Sequence, residues 1–204
     1  MKKRSLWCSF LLVSLLVLGG LGTGCSADRL EEVDSAQAGT ISSALTGVAT
    51  QVQAQAALEF KNARPSGNAS QVPMAGGWFT GTLEQFTVQG ELKQGSGGGS
   101  ISVSGQGGLN NKSLAISLSI TLNDWTSGDL VLSGTITLTF SFSLSGSLST
   151  QAVVSGLVHV KGLVDSHPEL ALPATVDLKV ETQNLQVKVC GSVAHHTVGQ
   201  GSCE

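Results

Sequence analysis

The chain has 204 residues, enough for one domain with a short appendage. Charged residues make up only 12%, about half the share usual in a soluble domain, while the 26 glycines are roughly double the expected number and tyrosine is absent. Leaving out Lys2, Lys3 and Arg4, eight basic residues face fourteen acidic ones, and a net charge near −6 excludes the concentrated positive footprint that nucleic acid requires.

Lys2, Lys3 and Arg4 form a positive head, followed by an apolar stretch from Leu6 to Leu18 and a small-residue tail, GGLGTGC, ending at Cys25. That is the layout of a secretory signal peptide, and the apolar stretch is short for a spanning helix of about 20 residues. The segment Leu21-Gly22-Thr23-Gly24-Cys25 resembles the lipobox of bacterial lipoproteins. The resemblance covers the leader alone. It implies cleavage before Cys25, a diacylglyceryl group on that residue, and a mature chain held at a membrane surface by its lipid. Ser26 in the following position resembles the outer-membrane sorting choice of many Gram-negative bacteria. Gly22 and Gly24 would also suit ordinary signal peptidase cutting at the same bond, which leaves Cys25 as an unmodified thiol.

Residues 1–24 therefore read as signal peptide and 25–39 as an acidic tether after the lipidated Cys25, with Asp28, Glu31, Glu32 and Asp34 against Arg29. Residues 40–204 read as a single helix-plus-β domain. Ile41, Ala44, Leu45, Val48 and Val52 recur at helical spacing, so a helix is expected over 40–60, packed on a sheet because a helix this long is marginal alone. Residues 61–77, with two prolines, two asparagines and three glycines, read as a loop.

The remainder is expected to be sheet. Leu114, Ile116, Leu118, Ile120 and Leu122 alternate with small residues, and residues 123–129 mark a turn, with Trp125 either covering one end of the core or marking a contact site. From Leu130 the even positions are apolar or glycine through Leu148, and the odd ones are nearly all Ser or Thr. Nineteen extended residues would span about 60 Å, against a radius of gyration near 16 Å for a domain this size, so the run must break. Turns are expected near 145–147 and near Thr150. The same phase continues through Ala152, Val154, Gly156, Val158 and Val160, which an odd-length loop preserves and a two-residue loop reverses. Residues 93–111, with GSGGGS and GQGG, read as a frayed hairpin or flexible loop. Glycines after an apolar residue and a spacer, as at Gly105, Gly134 and Gly156, mark places where strands bend or approach closely. The expected fold is mainly β: a curved antiparallel sheet, or a barrel or half-barrel, with one N-terminal helix.

The catalytic inventory is thin: no phosphate-binding glycine loop followed by Lys and no nucleophile elbow is present. His167 and Glu169 flank Pro168 in a turn, and His159 sits on the polar side of a strand. Cys190, His195, His196 and Cys203 are chemically fit for zinc or copper, but adjacent histidines on an extended chain point opposite ways. Cys8 leaves with the leader, and if Cys25 carries lipid, Cys190 and Cys203 are free to pair in an oxidising compartment. Closing that loop of about fourteen residues would contribute roughly 3 kcal/mol.

The reading is thus an exported, non-catalytic, lipid-anchored envelope protein, placed at the outer membrane of a Gram-negative bacterium, with a structural or interaction role. No cofactor, metal or nucleic acid is expected, and the partners are the membrane, through the anchor, and an envelope protein or apolar ligand. The alternative function is a carrier or chaperone for a lipid or other apolar ligand in the hollow of the curved sheet; an enzyme of unknown class is the third option.

Overall fold

The computed structural model describes residues 32–63, 74–94, 98–110, 113–143, 150–183 and 186–199. The leader, Cys25, the start of the tether, the expected turn at 145–147 and Cys203 lie outside them.

One helix precedes the sheet. α1 spans Ser35–Ala63 and so begins inside the stretch read as tether, and it overruns the expected end at residue 60. The cause of the early start is local. Asp34 accepts from the Gln37 backbone N–H at 2.8 Å, and the Gln37 side chain accepts from the Asp34 N–H at 2.9 Å. This reciprocal capping box satisfies two backbone donors that a helix start otherwise leaves open. The carboxylate that looked like tether charge is therefore a helix cap.

One face of α1 buries Ala38, Ile41, Leu45, Val48, Ala49, Val52 and Ala56. The other face is exposed and includes Gly47, around which no atom lies within 4 Å of the position a Cβ would take. Gly47→Ala is therefore expected to stabilise the protein by about 0.5–1 kcal/mol through helix propensity alone. A thermal melt checks this, and a lowered midpoint would show that the face is not open.

Ten strands follow as an uninterrupted antiparallel meander, each paired with its sequence neighbours. They are β1 Met74–Gly76, β2 Phe79–Gly81, β3 Phe86–Lys93, β4 Ser100–Asn110, β5 Ser113–Ser127, β6 Leu130–Ser143, β7 Thr150–Lys161, β8 Leu172–Gln183, β9 Gln186–Val193 and β10 His196–Gly199. Among the described residues β1 and β10 do not pair, so the sheet is curved and open. α1 packs against β1 and β2 at one end of the meander and against β9 and β10 at the other. Its buried face joins the inward side chains of the strands in one core. Two polar contacts fix the helix start: Gln37 Nε2 donates to the Leu163 carbonyl at 2.9 Å, and His196 Nε2 lies 2.8 Å from the Val33 carbonyl. Near the far end, Phe60 meets Phe79 edge-on with ring centroids 5.4 Å apart, and Phe79 meets Phe86 at the same distance.

The alternation survives from strand to strand for identifiable reasons. On β5 the inward positions are Leu114, Ile116, Leu118, Ile120 and Leu122, after which a bulge places Asn123 and Asp124 opposite Ser133 alone and turns Trp125 inward. Asp124 adopts φ 49 there, a left-handed conformation that Asp tolerates. Ser127 then pairs with Leu130 across the two-residue turn Gly128-Asp129. Bulge and turn each reverse the phase, so β6 again buries its even positions. The expected turn over 123–129 thus shrinks to its last part, and Trp125 takes the first of its two expected roles, covering one end of the core.

Two other expectations need correction. Thr150 is not a turn: β7 starts there, opposite Phe142, and runs to Lys161. Seven residues separate that pair, an odd number that keeps even positions inward. The glycine-rich stretch after Lys93 is not a frayed loop beyond residue 99, because 100–110 form β4, paired on both sides with β3 and β5. Glycine is needed there for close approach rather than for mobility. A Cβ on Gly105 would lie 2.1 Å from the Ser117 carbonyl, and one on Gly107 would lie 2.4 Å from the Phe86 ring. The strand thus makes room for its neighbours.

Candidate binding face of the sheet

If the inward positions of these strands are apolar, the outward ones define what the protein presents. Register turns the alternating Ser and Thr residues into rows that run across strands. Ser102, Thr121 and Thr135 stand side by side on β4, β5 and β6. The next row is Ser104, Ser119, Thr137 and Ser155, the last on β7, and the third is Gln106, Ser117 and Thr139. Strand spacing near 4.8 Å and a two-residue repeat near 6.7 Å make this a regular grid of hydroxyls and amides. The Thr121 and Thr135 hydroxyls are 3.5 Å apart, showing how close neighbours within a row come.

The grid is uncharged, but its borders are not. On the β3 side Lys93 pairs with Glu91 at 3.1 Å, and on the β8 side Lys179 pairs with Glu181 at 2.9 Å. The Glu181 carboxyl is held below the usual carboxylate range chiefly by its hydrogen bond from Lys179, with the charges of Lys179 and Lys188 acting in the same direction against burial. Its small stabilising contribution is present above the unfolded-chain value and fades as pH falls through the lowered one.

Near the end of the grid where β5 starts and β6 ends, the face dips into an open groove of about 570 Å³. Gln85, just before β3, and Gln106 of β4 stand on one side, with Ser117, Thr139 and Ser141 across the middle and Gln151 and Val153 of β7 opposite. No ionisable side chain lines it. Val153 is 40% exposed, and Leu157, two positions further out on the same face of β7, is 46% exposed. The groove's edges are held in place. Gln85 sits in a tight turn closed by Thr82 N–H donating to the Gln85 carbonyl at 2.8 Å, and Gln151 Nε2 donates to Glu181 at 3.4 Å.

The residues singled out from the sequence fall elsewhere. His167 and Glu169 are exposed in the β7–β8 connection, where Glu169 reaches Lys161 at 3.8 Å. His159 is exposed on β7 opposite Ser133 and Pro173. Cys190 is buried on β9, with its sulfur 3.8 Å from the Lys179 carbonyl. Ala194 and His195 form the β9–β10 turn with φ 47 and 70, so His195 faces solvent while His196 turns to Val33. His196 pairs with Val193, three residues from Cys190, or about 10 Å along an extended strand, so these residues do not converge. Among the described residues no three His, Cys, Asp or Glu side chains are grouped to hold a metal ion. Cys25 and Cys203 lie outside the described residues.

The groove residues were not candidates in the sequence. Their outward phase on β5 to β7 was readable, but which of them stand together depends on lateral register. Comparison of the chain with protein families, with curated proteins and with solved structures finds no match.

Proposed function

We propose that this protein is an exported, lipid-anchored envelope protein that works by binding, with the outer face of β4 to β7 turned toward its partner. The observation that supports this reading is the division of labour between the two faces of the sheet. The inner face is covered by α1, whose Ile41, Leu45, Val48 and Val52 are almost wholly buried in the shared core. The outer face presents ordered rows of uncharged hydroxyls and amides across β4 to β6, continued on β7 by Ser155 and flanked there by the exposed Val153 and Leu157. A carrier would hold its apolar ligand against the inner face, where the helix side chains now pack, and this favours the binding role over the carrier.

The anchor rests on Cys25 and the lipobox-like segment before it. Growth with a labelled fatty acid is expected to label the wild-type protein and leave Cys25→Ser unlabelled, with the variant recovered in the soluble fraction. An unlabelled wild type overturns the anchor. Export also suits a disulfide between Cys190 and Cys203. Cys190 stands opposite Gly199 on β10, so that bond would clip the last residues to β9.

A further inference from the structure

The groove on the outer face narrows the class of ligand. We propose that it binds a neutral, polyhydroxylated ligand, one or two sugar rings of an uncharged glycan; the proposal deepens the binding role given above and rests on it. Charge is the first argument. No ionisable group lines the groove, and the flanking Lys179 and Glu181 are already paired with each other, so a phosphate, carboxylate or ammonium would lose its water there with little counter-charge to gain. Hydrogen-bonding character is the second. Amides and hydroxyls both donate and accept, and Gln85, Gln106, Gln151 and Thr139 together match a ligand whose every hydroxyl does the same. The third is the apolar patch. Val153, exposed between Thr139 of β6 and Lys179 of β8, offers a methyl surface against which the C–H face of a sugar ring can lie. Shape agrees in one respect, since an open groove of about 570 Å³ leaves room for a sugar ring to lie on one face with its other side in solvent.

A peptide fits less well. Peptides dock on sheets mainly by pairing with a free strand edge, whereas β4 to β7 are paired on both sides and offer only side chains. The groove is also preformed, being built on paired strands and the closed Gln85 turn, so little ordering is needed on binding.

The test uses the full-length mature protein in detergent micelles, applied to an array of neutral oligosaccharides (glucose, mannose and N-acetylglucosamine oligomers), sialylated and sulfated oligosaccharides, and peptides. Retention on at least one neutral series, about tenfold or more above the charged glycans, is expected. Gln106→Leu and Thr139→Val are each expected to weaken it about tenfold while leaving the melting temperature unchanged. Gln85→Ala, at a turn closed through the Gln85 backbone atoms, provides a further variant should either fold poorly, and it should weaken retention similarly. Failure to retain any neutral oligosaccharide overturns the proposal, as does retention of charged glycans only, or retention indifferent to all three substitutions. Retention of a peptide that these variants abolish would overturn the glycan assignment and leave the binding face standing.

Discussion

Leu45→Asp is expected to be among the most damaging single changes in the chain, destabilising it by more than about 4 kcal/mol. Leu45 is fully buried in the middle of α1, within the core that the helix shares with the strands. A carboxylate there would be cut off from water, and its buried neighbours on the helix, Ile41, Ser42, Ala44, Val48 and Ala49, offer no cation. Against a total stability of about 5–15 kcal/mol, that loss would unfold much of the population. Urea denaturation followed by circular dichroism checks it. Leu58→Asp is the matched control, because Leu58 is 53% exposed on the same helix and should change stability by no more than about 0.5 kcal/mol. Equal effects at both sites would mean that α1 is not seated by the face described.

The second large effect is expected at Gly134, in the middle of β6. Its φ of +134 is poorly accessible to any other residue, and a Cβ there would lie 2.6 Å from the Leu157 carbonyl and 3.1 Å from Val158 Cα. β6 is paired on one side with Leu122 and on the other with Val158 at this point, so neither neighbour can move aside without breaking ladder hydrogen bonds. Gly134→Val adds backbone strain to overpacking and should cost about 4 kcal/mol. The same measurement checks it, and a neutral outcome would show that the strand relaxes freely at this position.

How far the fold was legible depended on which interaction decided each element. Strands β5 to β8 bury the positions their alternation selects, from Leu114 through Val180, because a two-residue period admits only one apolar face. The start of α1 was hidden. Asp34 and Gln37 form a capping box, but Asp34 belongs to an acidic run that reads equally well as tether. β4 was missed for a different reason: Gly105 and Gly107 resemble a flexible loop until the Ser117 carbonyl and the Phe86 ring are known to occupy the space their side chains would fill. The groove could not be foreseen. Gln85, Gln106, Thr139 and Gln151 come together through the register of five strands, β3 to β7, and register follows from the bulge at Asn123-Asp124 and from turn lengths that composition does not specify.

The proposed lipid-anchored binding protein completes its core with its own helix and so needs no lipid inside the sheet. Native mass spectrometry of the protein extracted from membranes tests this reading most directly. The expected mass is that of a chain beginning at an acylated Cys25, two hydrogens lighter for the proposed Cys190–Cys203 bond, with no further lipid released on denaturation. An intact leader, or a non-covalent acyl chain freed when the protein unfolds, would contradict it.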